Sequence, residues 1–343
     1  MDNTSENLHN ISIAIFDDLS AILYTVFPID TVTACTTFVE FVALVNDNRV
    51  RMRKSFVLII ALIFGYFLSA CGSILSSSIS CAMRFIQGDC IMDLRSCLCL
   101  QVVYSVGYIL VIAISFLLAV DRTLAIVSPV WYNRDYKNSF LYGQLTLVLF
   151  YILLINVGMY LSSEHQGIPF CTLISSRENQ FLMFESLVNN ALLALTVAIY
   201  IALIVWVKWK LHKDRENAVL QMAHRRRMKS KLLLTLAICV FIHATTFYVG
   251  TIFGSIAIAA ENIVDAMSLA KYGILVVISG LLNAVFLLCR TREIRLAVQR
   301  LVKKCGLAQL FTKASSLLPS LNRTHTVGVC TSTTEQLKTI ECA

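Results

Sequence analysis

The sequence predicts an all-α membrane protein: a seven-transmembrane helix bundle, N-terminus outside, with a short amphipathic helix along the inner leaflet. Three observations predict it. The chain of 343 residues is 57% hydrophobic and only 15% charged, with mean hydropathy +0.72, whereas soluble domains run at about 45–50% and about 25%. Seven apolar stretches recur, at about 19–45, 55–80, 96–120, 139–161, 180–206, 231–258 and 264–289. Basic residues gather beside them on alternate sides.

Each stretch exceeds the roughly 18 apolar residues that mark a spanning helix. In lipid the backbone must satisfy its own hydrogen bonds, so such stretches form helices. A transmembrane barrel would need alternating segments of about 10 residues, and nothing here alternates. Only 4 prolines and 13 glycines are available to interrupt the helices. Seven spans with short loops leave no room for a separate soluble domain. Residues 1–18 read as an extracellular tail, 19–289 as the seven-helix domain, 290–305 as a membrane-surface helix and 306–343 as a disordered cytoplasmic tail.

Orientation follows from charge. The first short loop holds Arg49, Arg51, Arg53 and Lys54, and the loop from Lys208 to Lys231 holds nine basic residues, including Arg225–Arg227. Nine more follow the last span, while the opposite side has only Arg84, Arg95, Arg177 and Lys271. The positive-inside rule then places the N-terminus outside and the C-terminus inside, in a multi-pass protein of the plasma membrane. Residues 1–18 have neither the basic nor the apolar region of a cleaved signal peptide, so the first span serves as signal anchor. The sequons at Asn3 and Asn10 fall on this outer tail and are expected to be glycosylated. A third, at Asn322, lies on the cytoplasmic side and should stay unmodified.

From Arg290 to Lys304, Ile294, Val298, Leu301 and Val302 share one helical face, with Arg292, Arg295, Arg300 and Lys303 around the rest. Such a helix lies on the inner leaflet, its basic residues meeting anionic membrane lipids. Cys305 at its end is either palmitoylated or an unmodified thiol. The Ser/Thr-rich tail beyond reads as disordered.

The most specific local pattern is Asp121-Arg122-Thr123 at the inner end of the third span, continuing through Pro129 to Tyr132. An arginine at a membrane boundary often merely snorkels. Here, however, Cys97 sits 25 residues upstream, about 37 Å away on the same helix at about 1.5 Å per residue. Cys171 lies in the loop between the fourth and fifth spans.

In these residues the chain resembles the rhodopsin-like G-protein-coupled receptors, with Asp-Arg followed by Ala125-Ile126-x-x-Pro129-x-x-Tyr132. Among them it is similar to the nematode serpentine chemoreceptors of the Srsx class, over roughly residues 19–305. The resemblance implies a receptor and not an enzyme, a Cys97–Cys171 disulfide, and a heterotrimeric G protein as partner, engaged through Asp121, Arg122, Pro129 and Tyr132. Arg122 offers five fixed donors. Asp121 would hold it at rest, and small helix displacements would free it for the G protein. Lipid binding alone accounts for many of the other inner charges.

Departures from that family are plain. Gly65 stands where an ion-binding aspartate belongs. Asn283 is kept in the seventh span without the following proline and tyrosine, the sixth span has no proline, and Arg225–Lys231 offers no acid to lock Arg122. Of the remaining outer cysteines, Cys81 and Cys90 offer a second bridge across a short loop, and Cys99 is expected to be buried and unpaired in its helix.

The resemblance also implies a ligand pocket in the outer half, for an unknown small-molecule ligand. Gln101, Tyr104 and Tyr108 share one face of the third span, and Glu185, Phe247, Tyr248 and Lys271 complete the site. His243 is either a pocket residue or a core histidine. Tyr104 replaces the aspartate of amine receptors, so no amine salt bridge is expected there. Val277 replaces the retinal lysine, so no chromophore is expected. No cofactor, metal site, catalytic residue or nucleic-acid partner is implied, since no hydrolase, phosphate-loop or metal-ligand motif occurs.

Asp30 and Glu40 are acids within the first span. An intramembrane carboxyl is costly and marks function by default, although either could be neutral and hydrogen-bonded across helices. They support the rival reading, a transporter or channel with an ion path, against which stands the lack of inverted repeats and Gly/Pro-broken helices.

Overall fold

The apolar runs fold as helices because within lipid only a helix pairs every backbone donor and acceptor internally. The computed structural model describes residues 25–48, 54–87, 92–134, 138–163, 167–168, 180–213, scattered residues within 238–249, and 274–304. Helix α1 spans Thr25–Asn46. It is followed by α2 (Lys54–Gln87), strand β1 (Met92–Asp93), α3 (Leu94–Val127), α4 (Pro129–Arg134), α5 (Asn138–Ser162), strand β2 (Gly167–Ile168), α6 (Gln180–Lys213), α7 (Ile274–Arg290) and α8 (Arg292–Lys304). Five described helices (α1, α2, α3, α5 and α6) are long and apolar enough to cross a membrane, and α7 carries a shorter apolar segment, Ile278–Cys289. They coincide with the first five predicted spans. Most of the sixth and the first part of the seventh lie outside the described residues, although Ile238, Phe241, Ile242, Ala244–Thr246 and Val249 are helical. The chain divides into two units, 1–300 and 301–343.

The outer faces of the first unit are apolar, unlike those of a soluble domain. Leu147, Phe150 and Leu153 of α5 stand 60–69% exposed, as do Leu187, Ile201 and Val205 of α6 at 58–70%. Meanwhile Thr37, Glu40, Asn189, Thr196 and Asn283 are buried. An exposed apolar face this extensive needs a nonpolar surrounding, and the bilayer supplies it. Threonine is affordable inside α1 because Thr31, Thr33, Thr36 and Thr37 each donate to a carbonyl one turn back.

α3 is the central element, packing against α2, α5 and α6, with Ile109, Ile112, Ile114, Leu118 and Ala119 buried. Its crossing with α2 is close because glycines face each other. A β-carbon at Gly72 would lie 2.6 Å from the Tyr104 Cα, and one at Gly107 would lie 2.8 Å from both the Gly65 carbonyl and the Ser69 Cα. Small residues let membrane helices approach backbone to backbone. On the other side, Ile112 packs with Leu193 of α6 and with Ala244. The buried amide of Asn283 donates to the Tyr66 hydroxyl at 2.8 Å, joining α7 to α2.

The helices outrun the apolar stretches. α2 reaches Gln87, α3 runs Leu94–Val127 and α6 reaches Lys213, because hydropathy registers where lipid ends and the backbone ladder continues into the interface. Arg290 likewise ends α7 instead of opening the amphipathic helix. The break falls at Thr291, yet Thr291 N–H still donates to Leu287 O at 2.9 Å and Arg295 N–H to Thr291 O at 3.2 Å. Ile294 and Ala297 of α8 are buried while Arg295 and Arg300 are exposed, as an amphipathic helix requires. Arg300, assigned from sequence to lipid, instead pairs with Asp47 just beyond α1. Arg300→Ala should cost about 1 kcal/mol or less, since half-exposed ion pairs are screened. A drop of more than a few degrees in the melting temperature of purified protein would contradict that.

Candidate functional site

At the far end of α3, the proline decides the geometry. Pro129 has no N–H to continue the ladder but fits the first turn of a new helix. The chain therefore leaves α3 at Ser128, whose N–H donates to Leu124 O at 3.1 Å, and restarts as α4, where Tyr132 N–H donates to Ser128 O at 2.9 Å. That turn brings Tyr132 back so that its hydroxyl donates to Asp121 Oδ1 at 2.8 Å. Asp121 is 2% exposed and Arg122 11%, and Arg122 Nη2 lies 3.3 Å from Asp121 Oδ2. This is an ion contact without hydrogen-bond alignment, because consecutive side chains diverge by about 100° around a helix. Arg122 Nε and Nη2 are buried and, among the described residues, have no hydrogen-bond partner. Leaving such donors unmet costs about 1–3 kcal/mol each.

At the opposite end, Cys97 is fully buried and disulfide-bonded. Cys171 and Cys90 lie outside the described residues. Two ties surround it that the sequence did not reveal. β1 pairs antiparallel with β2, Met92 opposite Ile168 and Asp93 opposite Gly167. Arg95 Nε donates to Ser163 O at 3.1 Å, with its guanidinium 5.9 Å from the centre of the Tyr160 ring. Asp93 caps α3, its carboxylate accepting from Ser96 N–H at 3.4 Å. Cys99 is unpaired but exposed, which corrects the expectation that it is buried. It is two residues beyond Cys97, and about 200° of helical rotation turns it outward.

Between these ends lies a cavity of about 40 Å³ bounded by Asp30 of α1, Tyr66 and Ser69 of α2, Tyr104 and Tyr108 of α3, and Ser279 of α7. The Tyr104 and Tyr108 rings stack with centroids 6.0 Å apart and planes 11° from parallel. Ser73 donates to the Asp30 carboxylate, which is 4% exposed. Of the seven residues expected to form the pocket, only these two tyrosines are described as lining it. Gln101 turns to α2, where its amide donates to Ser76 Oγ at 2.7 Å. Glu185 belongs to a polar chain between α5 and α6: Asn189 donates to Glu185 Oε1 at 3.2 Å, and the Tyr151 hydroxyl donates to Asn189 Oδ1 at 3.3 Å. Phe247, Tyr248, Lys271 and His243 lie outside the described residues, as do Asn3, Asn10, Cys305 and the Pro129 side chain. Sequence had singled out Asp30 by its cost in lipid but not its partner, because Ser73 is 43 positions away. Glu40 is buried with neither carboxylate oxygen partnered among the described residues.

Gly65 now has a steric account. A β-carbon there would meet Val111 Cγ2 at 3.0 Å and the Gly107 carbonyl at 3.3 Å, so the close α2–α3 crossing disfavours the aspartate that the resemblance would place here.

Apolar outer faces, polar residues buried between the helices and a buried ion contact at one end of the central helix define a polytopic α-helical membrane protein. Residues 74–302 match the family model for the serpentine type 7TM GPCR chemoreceptor Srsx. That is more than half of the chain, and the protein belongs to this family of chemoreceptors. A comparison with curated proteins finds no match.

Proposed function

We propose that the protein is a plasma-membrane chemoreceptor with seven spans and an extracellular N-terminus, which binds a small organic ligand and signals through Arg122 to a heterotrimeric G protein. The observation that carries the reading is the Arg122 guanidinium at the end of the central helix, with two buried nitrogens that have no partner among the described residues. The C-terminal segment of a G protein would bring the missing acceptors, and the basic loops would help it dock. Asp121, tethered by Tyr132, positions the arginine beforehand, and the turn at Pro129 positions Tyr132. Positive-inside charge supports the orientation, and with it glycosylation at Asn3 and Asn10 and acylation at Cys305. The test is reconstitution in liposomes. The protein should accelerate nucleotide exchange on a G protein and pass no ions. Flux that vanishes in Asp30→Asn or Glu40→Gln, without exchange, would sink the receptor reading.

The disulfide of Cys97 goes, in this reading, to Cys171. β2 ends three residues before Cys171 and is paired with β1, four residues before Cys97, and a ladder that ties the two segments together so near both cysteines supports the pairing. Losing such a bridge typically costs about 2–5 kcal/mol. Cys97→Ser and Cys171→Ser should each sharply reduce surface delivery, and the double variant should be no worse than either, as partners in one bond require. Additive losses on cell-surface labelling would refute the pairing.

A further inference from the structure

We infer that the chemical class of ligand is a small organic cation, with Asp30 as its counter-ion. This rests on the receptor reading and adds the recognition chemistry to it. Tyr104 removes the carboxylate from α3, but α1 returns one to the same cavity, beside the same ring.

Asp30 is buried, lines the cavity, and among the described residues receives a hydroxyl hydrogen bond from Ser73. No lysine or arginine pairs with it among the described residues. A carboxylate withdrawn from water is stable when a positive charge meets it, and within lipid that requirement is stricter. Much of the remaining lining is aromatic: Tyr104 and Tyr108 bring stacked rings, and Tyr66 adds a third. Ring faces attract ammonium groups, whereas a bare metal ion would want a shell of oxygens. Hydroxyls of Ser69 and Ser279 line the remainder and accept N–H donors. At about 40 Å³ and roughly 10–15 Å³ per water-sized group, the cavity holds about three such groups. An ammonium head with a two-carbon stem fits, and a longer ligand would place only its head here.

Ethylammonium is therefore the probe, with ethanol as its neutral analogue and sodium chloride at equal ionic strength. The purified full-length receptor is titrated and its melting temperature followed. Ethylammonium should raise it saturably with a midpoint in the millimolar range, as expected for three heavy atoms, and neither control should. Asp30→Asn, which keeps the shape and the Ser73 hydrogen bond, should weaken the midpoint at least about 10-fold, and Tyr104→Leu about 5-fold. No saturable shift, an equal shift with sodium or ethanol, or an undiminished one in Asp30→Asn overturns the inference. Should Asp30→Asn fail to fold, an unchanged midpoint in Tyr104→Leu does so alone. Nucleotide exchange on the same preparation, and its loss in Arg122→Ala, reports the receptor reading whatever the cavity binds.

Discussion

Gly107→Val should leave almost no folded receptor at the cell surface. The first atom added would lie 2.8 Å from the Gly65 carbonyl oxygen and from the Ser69 Cα. Those are backbone atoms and cannot rotate aside, so α2 and α3 must separate along their length. Overpacking a core that has room to adjust already costs about 1–3 kcal/mol, and here the adjustment would also loosen the Gln101–Ser76 hydrogen bond and the cavity walls. With a total stability of about 5–15 kcal/mol, a cost above the ordinary overpacking range removes much of the margin. Gly72→Ala, whose β-carbon would sit 2.6 Å from the Tyr104 Cα, should behave similarly. Gly143 in α5 supplies the control. Nothing lies within 4 Å of its β-carbon position, and alanine there should be tolerated, with a gain of up to about 1 kcal/mol in helix propensity. Surface labelling with size-exclusion profiles distinguishes these cases. Wild-type delivery of Gly107→Val would mean that the α2–α3 crossing is not as close as described.

Arg122→Ala should abolish G-protein nucleotide exchange while leaving delivery intact. The side chain contributes little to stability, since two of its buried nitrogens have no partner among the described residues and its carboxylate contact is poorly aligned. Removing it relieves that cost, although Asp121 then relies on Tyr132 alone among the described residues. What is lost is the set of donors available to a docking partner. Arg122→Lys should recover only a fraction of the exchange, because an ammonium is a point charge and cannot reproduce a planar fork. Exchange at wild-type rate in Arg122→Ala would remove the assigned role. Loss of surface protein would shift the residue from coupling to folding.

Much of the architecture could be read from local pattern. A span announces itself because lipid forces about 20 consecutive apolar residues into one helix, so α1, α2, α3, α5 and α6 fell where hydropathy put them. The amphipathic face of α8 and the turn at Pro129 are equally local. The site was legible only where one residue type carries the chemistry: Arg122 at the end of a span, Asp30 as a carboxyl in lipid, Tyr104 and Tyr108 one turn apart.

The sequence by itself thus determined that this is a membrane helix bundle, which stretches of it are apolar, and which few polar residues are anomalous there. Tertiary structure alone decided what those residues meet: Asp30 with Ser73 and the tyrosines, Gln101 with Ser76, Asn283 with Tyr66, Tyr132 with Asp121, Arg300 with Asp47. The reason is physical. Entering lipid is a property of each segment, set by its own transfer free energy and backbone hydrogen bonds. Partnership depends on how closely two helices approach and at what rotation, and in α2 and α3 that is set by glycines whose role is invisible until both backbones are in place.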